Sequence, residues 1–364
     1  MATRQVFCGF GQTGAGDDSG YSSPTAPANF SQALRAGQPW LTHAYVRYVG
    51  IVLSSAPGAG RSATFTLMRN GVDTAMAFTI GAAETTGGIA GCLELLEGDT
   101  ILLRRAYLDG GIGFKFLYST VVIDNVVANE SGYGHVDGTN VIGTYGIGPF
   151  SGAFWEAASY AGPMDVVAAG GTLTQYRVTL DAAPDAGGSY TFYLIKNGVD
   201  QDGSGGTIDT RVTIPDSTAT GNFTGSLPLV ANDEVVLRYS FTGAPGNRDV
   251  NFGSKFVATI DGQSQACNSK VGGPPTLGLD TYYRQYLSTG TQVDWALTEF
   301  VSRNSSPFPF DLRGIWWISK GLGFNPVCTI SVRVNSADPV GAPSATGSTD
   351  GSDPTNQITV AAGD

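Results

Sequence analysis

The chain has 364 residues and a formal net charge of −11, with charged residues at 14 % and hydrophobic residues at 41 %. This length suits two or three domains and the apolar content suffices for their cores, while the charged share lies well below the usual ~25 %. The acidic balance and the lack of any Lys/Arg cluster argue against a phosphate-binding surface, so nucleic acid is not an expected partner.

Glycine is abundant, at 51 residues, and Thr, Val, Ser and Ala fill much of the remainder. Such sequence, without helical periodicity over three turns, predicts many short strands joined by tight turns: an all-β chain. The opening segment "MATRQVFCGF" has no apolar run behind a basic stretch, so no secretory signal peptide is expected. No segment approaches the ~20 apolar residues of a membrane span, so membrane insertion is not expected. A surface-type composition without an export signal suits a protein assembled in a host cytoplasm and released by lysis, as bacteriophage virion proteins are. The four cysteines, Cys8, Cys92, Cys267 and Cys328, show no C-x-x-C spacing. They read as buried small hydrophobes rather than a disulfide framework.

In chain order, "WLTHAYVRYVG" predicts a strand that sets His43, partly buried, beside aromatics. Leu53–Asp73 ("LSSAPGAGRSATFTLMRNGVD") then matches Leu180–Asp200 ("LDAAPDAGGSYTFYLIKNGVD") at 13 of 21 positions without a gap. Each copy predicts a hairpin. Phe65, Leu67, Val72, Met76 and Phe78 flank Asn70-Gly71, and Asn-Gly is the strongest signal for a type I′ turn, which needs positive φ at both central residues. Asn197-Gly198 does the same in the second copy, and Pro57 and Pro184 sit in matching turns. "GDTILLR" (Gly98–Arg104) answers "NDEVVLR" (Asn232–Arg238), each a turn followed by a buried strand. "GFKFLYSTVVID" (Gly113–Asp124) answers "GSKFVATID" (Gly253–Asp261).

A fainter third copy aligns "CTISVRVNSAD" (Cys328–Asp338) with Ala63–Asp73, its turn at Asn335-Ser336, and "TVAAGD" (Thr359–Asp364) with Glu94–Asp99. The repeats predict three antiparallel β-sandwich modules: 1–125, 126–262 and 263–364, the third incomplete. The first two continue for about 25 residues past this point, supplying two more strands. The third therefore implies a longer natural chain or strands donated by a neighbour. The polar stretch Asn335–Gln357 reads as an expanded loop.

Candidate chemistry is sparse. There are two histidines: His43 reads as a strand residue, and His135, in "GYGHVDGTN", as a residue of a glycine-rich loop. No HExxH, G-x-S-x-G or GxxxxGK[ST] motif occurs, so no metal, cofactor or catalytic residue is expected. Glu94 with Glu97 or Asp109 is a candidate carboxylate pair for glycoside hydrolysis, but non-carboxylates such as Leu227 and Val230 stand in for it in the second copy. "DQDGSGGTIDTR" (Asp200–Arg211) begins like a calcium loop but ends on Arg211 where a bidentate Glu is required, so it reads as a flexible insertion. Trp155, Trp316 and Trp317 are candidates for subunit contacts or sugar stacking, and the adjacent pair must face opposite sides of a strand.

The sequence of a strand ending in Asn-Gly, a Thr/Val strand, then Gly98-Asp99 or Asn232-Asp233 leading into a Val/Leu strand resembles the C1q/TNF-like jelly roll. Such modules occur in spore-coat filaments and in phage virion and fibre proteins. The resemblance covers the second half of each module and implies a structural or binding role, often in trimers, without catalytic residues. The leading expectation is a viral structural subunit: a fibre, tail, neck or capsid decoration protein. It would contact other copies of itself, other virion proteins and a host-surface glycan. A glycan-binding bacterial adhesin or surface-filament protein is the alternative, and a polysaccharide-degrading enzyme a third.

Overall fold

The computed structural model describes residues 4–10, 20–22, 24, 37–53, 55–108, 116–140, 145–150, 154–156, 165–264, 281–283, 291–293, 310–318, 328–331, 339–347 and 350–361. Most of the described residues are in strands, and the one helical segment among them is a 3₁₀ turn, Ser204–Gly206. Among them, no helix is long and apolar enough to cross a membrane.

Residues 4–125 carry β1 (Arg4–Phe10), β2 (Gly20–Ser22), β3 (Gln38–Pro39), β4 (Ala44–Leu53), β5 (Ser62–Arg69), β6 (Val72–Ile80), β7 (Thr86–Leu95), β8 (Thr100–Leu108) and β9 (Phe116–Asn125). They form two antiparallel sheets, β1-β9-β4-β7 and β2-β8-β5-β6, with β3 also paired to β8. From β3 onward successive strands change sheet, except at the β5–β6 hairpin, which gives jelly-roll connectivity.

Residues 130–258 repeat the plan with β10 (Glu130–Asn140), β11 (Tyr145–Ile147), β12 (Phe154–Glu156), β13 (Asp165–Val166), β14 (Gly171–Leu180), β15 (Ser189–Lys196), β16 (Val199–Asp200), β17 (Val212–Pro215), β18 (Thr220–Leu229), β19 (Glu234–Thr242) and β20 (Asp249–Ala258). Here the sheets are β10-β20-β14-β18 and β12-β11-β19-β15-β16, with β13 paired to β19 and β17 to β15. Beyond them lie β21 (Thr281–Tyr283), β22 (Thr291–Val293), β23 (Phe310–Ile318), β24 (Cys328–Ser331), β25 (Ser344–Gly347) and β26 (Asp350–Val360), paired β21-β22, β23-β26 and β24-β25.

Hydrophobic alternation explains the layers. β5 turns Ala63, Phe65 and Leu67 into the core, and β15 turns Tyr190, Phe192 and Leu194 into the equivalent space. In β4 the buried positions are Ala44 and Val46, then Val49, Ile51 and Leu53. A register shift between Val46 and Tyr48 resets the phase. β14 carries the same shift between Leu173 and Gln175, so Tyr176, Val178 and Leu180 stay inward. Without the extra residue, every following side chain would point to the wrong face.

Three expectations are corrected here. "GYGHVDGTN" is not a loop: it lies in β10, with His135 paired to Phe252 in the ladder. Its glycines serve close packing rather than a turn. Asn335–Gln357 is not one loop either, since it contains β25 and the start of β26. Asp353 stabilises that region as an acceptor for the backbone N–H groups of Ser344, Thr355 and Asn356 and for the Asn356 amide. Cys92 is a free, exposed thiol rather than a buried one, because its place on β7 faces away from the core.

Asn70 and Gly71 have φ of 52° and 76°, and Asn197 and Gly198 have 51° and 77°, positive at both central residues as type I′ requires. A Cβ added at Gly71 or Gly198 would meet nothing within 4 Å. A side chain there costs only backbone strain. Gly71→Val and Gly198→Val are each expected to lower stability by about 1–3 kcal/mol, measured by thermal or denaturant unfolding; unchanged stability in both would contradict the turn assignment.

Candidate interaction surface

The repeated phrase does more than turn the chain. Asn70 uses its whole side chain: Nδ2 donates to Asp99 Oδ1 at 2.6 Å, and Oδ1 accepts the Thr100 N–H at 2.8 Å. Asp99 Oδ2 accepts the Leu96 N–H at 2.7 Å and pairs with Arg69 Nε at 2.7 Å. The second copy repeats each contact. Asn197 Nδ2 donates to Asp233 Oδ1 at 2.6 Å, and Oδ1 accepts the Glu234 N–H at 2.7 Å. Asp233 Oδ2 accepts the Val230 N–H at 2.8 Å and pairs with Lys196 Nζ at 2.9 Å. Burial pushes the Asp233 carboxyl up, but the Val230 N–H, Lys196 and Asn197 outweigh that and hold it below its ordinary value.

Each clamp also holds a third segment. The Trp40 N–H donates to the Asp99 carbonyl and the Gly98 N–H to the Trp40 carbonyl, both at 2.8 Å. In the second unit the Val167 N–H donates to the Asp233 carbonyl and the Asn232 N–H to the Val167 carbonyl, again both at 2.8 Å. So the hairpin, the Asp loop and the end of β3 or β13 form one body at one end of each sandwich.

In the first unit that end rests on the second sandwich. A Cβ on Gly253 would strike the Pro39 carbonyl oxygen, one on Gly134 would strike Gln38, and one on Gly132 would strike Trp40 and Thr42. The outer face of β10 and β20 is stripped to glycine so that β3 can lie flat on it. Gln175 Nε2 donates to Glu97 Oε1 at 2.8 Å, adding the Asp loop to the contact. Gln5, almost fully buried, seals the adjoining edge: Oε1 accepts the Gly132 N–H and Nε2 donates to the Gly132 carbonyl, both at 3.2 Å. Asn125 and Thr42 extend this neutral network, Asn125 Nδ2 to Gln5 Oε1 at 2.6 Å and Thr42 Oγ1 to Asn125 Oδ1 at 2.7 Å. Aromatic edges run from Trp40 to Phe7, Tyr133, Phe150 and Phe256 with centroid spacings of 6.3, 6.2, 5.2 and 5.6 Å. The two sandwiches thereby share one hydrophobic core.

Around the same end lies a rim of exposed apolar residues. Val72, Leu96 and Val127 in the first unit correspond by strand register to Val199, Val230 and Ile260 in the second, and all six are between 44 % and 67 % exposed. Large aliphatic groups are thus left exposed at equivalent positions in both copies.

Other candidates resolve into local structure. His43 Nε2 lies 2.9 Å from Glu94 Oε1, and Tyr45 donates to the same oxygen at 3.3 Å. Arg47 joins Asp124 at 3.1 Å and donates to Cys92 Sγ at 2.9 Å. Burial raises Asp124, while Arg4 and Arg47 together bring it below its ordinary value. Glu97 is engaged with Gln175 rather than Glu94, and Asp109 lies outside the described residues. Strand register sets Pro228 at the place of Glu94; by the same count Ala231, not Val230, answers Glu97.

The Asp200–Arg211 insertion is a closed side loop. Asp202 and Asp209 bridge its neck, Asp202 accepts the N–H and hydroxyl of Ser204, and Asp209 pairs with Arg211 at 2.8 Å. The bonds from Arg211 hold the Asp209 carboxyl down at about 2. Among the described residues no three His, Cys, Asp or Glu side chains converge as a metal site would require. Trp155 lies on β12 and Trp316 and Trp317 on β23, but their side chains lie outside the described residues, as does Asn335-Ser336.

No family model and no curated protein matches the chain. Solved structures similar to parts of it include capsid chains of two plant viruses. One, from the cryo-EM structure of Broad Bean Stain Virus, is 11 % identical, covering 74 % of this chain and 92 % of that chain with a TM-score of 0.20. Another, from the naturally occurring empty particles of Cowpea mosaic virus, is 12 % identical, covering 71 % and 89 %, with a TM-score of 0.21. TM-scores this low carry no argument about shared fold or function.

Asn197→Ala leaves the Asp233 carboxylate and the Glu234 N–H each short of a partner and is expected to cost about 2–3 kcal/mol in urea unfolding. Asp233 adds a pH signature. Its carboxyl sits lower in the folded chain than in the unfolded one, so its contribution is present above the unfolded value of about 3.9 and is lost as pH falls through the lower folded value. Melting temperatures followed from about pH 7 to pH 3 should therefore fall less for Asp233→Asn than for the native chain; equal acid limbs would contradict this role.

Proposed function

We propose that the chain is a structural subunit of a viral particle, with a bacteriophage as the source its composition favours. The observation that carries this reading is the matched apolar rim on two sandwiches already fused through a common core. A rigid body that presents the same exposed aliphatic groups twice is suited to repeated protein contacts, not to turnover of a small molecule. Apart from the Glu97 carboxylate on Gln175, the joint is made of packed apolar groups and neutral side chains, consistent with assembly through sandwich faces and edges rather than through charge. Within a particle it would serve as a fibre, tail, neck or decoration component, and its partners would be its own copies and other virion proteins. The C1q/TNF-like reading of the jelly roll and contact with a host glycan belong to the same proposal.

The test is density-gradient fractionation of native material with mass spectrometry of each band. The expected result is co-migration with nucleic-acid-containing particles at a fixed copy ratio. Recovery only with cell envelopes or as a free species would overturn the proposal and make glycan-array binding the next measurement.

A further inference from the structure

We infer that the Asn–Asp clamp is the joint by which each sandwich seats on the one that follows it, and that the second clamp seats β13 on the sheet containing β23. This holds whether or not the chain is a virion component. The first joint is visible in full. Asn70 and Asp99 lock the Asp loop to Trp40. The locked body then lies on the outer face of the next sandwich, through Pro39 on Gly253, Gln38 on Gly134 and Glu97 on Gln175.

The second joint repeats the presenting half atom for atom. Asn197, Asp233 and Val167 stand where Asn70, Asp99 and Trp40 stand, and β13 pairs with β19 in the register that β3 uses with β8. The receiving half is repeated by placement. β3 lies against β14, and β13 lies against β23. β23 fills the role of β4 and β14: it pairs antiparallel with a strand, β26, that follows the hairpin-like pair β24–β25, as β4 pairs with β7 after β5–β6. It also carries a register shift near its middle, between Arg313 and Ile315, as β4 and β14 do. A joint that recurs in one direction along the chain is heterologous, each unit offering one surface and receiving on another. It predicts local coupling across each joint: loosening a clamp should loosen the sheet it seats on.

Hydrogen–deuterium exchange on the full chain reads this directly. Asn70→Ala should speed amide exchange in β10 and β20 by tenfold or more. Asn197→Ala should do the same in residues 310–318 while leaving β1 and β9 at native rates. Should Asn197→Ala not fold, Val166→Asp offers a second route, placing a charge on β13 beside the clamp while keeping the Asn197 and Asp233 side chains that form it. It should also speed exchange in 310–318 and leave β15 and β19 protected. Native exchange rates in 310–318 in whichever of these variants folds would overturn the inference, as would equal acceleration throughout the chain.

Discussion

One interaction organises this molecule: an asparagine amide bonded to an aspartate at the far side of a turn. The position demands two things at once. The backbone must sit at φ near 51°, which asparagine tolerates better than other residues with a side chain. The side chain must also donate to a carboxylate and accept a backbone N–H. Glycine would meet the first demand only, and aspartate would set like charges 2.6 Å apart. The requirement for both explains why the phrase recurs intact while its surroundings differ. The neighbouring cation, Arg69 or Lys196, then neutralises the carboxylate from the other side.

From that clamp the rest of the packing follows. A loop held from three sides can serve as a rigid foot, and a rigid foot needs a flat floor. Gly132, Gly134 and Gly253 supply the floor by removing side chains from a sheet face. The seam is then closed by Gln5, Asn125 and Thr42, all neutral. Burying ions at such a seam would carry a desolvation cost that amides with satisfied partners avoid. The low charged content of the chain therefore has a structural meaning: much of its strand surface faces another layer rather than water.

Much of this architecture was legible in the sequence, and the illegible parts have physical causes. The strands, the two I′ hairpins and the jelly-roll layering follow from alternation and from Asn-Gly, which act over a few residues. The clamp could not be read because Asn70 and Asp99 are 29 positions apart and their meeting depends on how β8 returns beside β5. The pairing was present only as coincidence, with Asn-Gly and an Asp turn conserved together in both copies. The glycines of β10 misled for the opposite reason: local rules assign Gly-rich sequence to loops, whereas here the cause is a close approach by residues nearly a hundred positions earlier. Cys92 shows that residue-type averages do not decide a face, since β7 alternates outward there.

The differences between the copies mark what the fold does not need. In the first unit Thr74 covers a local irregularity by donating to the Leu67 carbonyl at 2.6 Å. In the second, the insertion enters at this same place, and Thr210 again closes the gap, accepting the Leu194 N–H at 2.9 Å and donating to the Gln201 carbonyl at 2.7 Å. The buried Tyr176 hydroxyl, pushed well above its ordinary pKa by burial, donates to the Thr210 carbonyl, lies 3.1 Å from the Phe192 carbonyl and ties the closure to the core. The second copy can thus carry a longer excursion opposite Leu194 without moving the hairpin tip or the clamp, its chain from Phe192 to Val212 being seven residues longer than that from Phe65 to Phe78, because the strand already departs from its ladder there. The clamp end of the sandwich tolerates no such change, since a shift of one residue would break the amide contacts and lift the foot from its floor. Constancy at that end and freedom along the flank are what a joint requires and what a binding pocket built by loops would not.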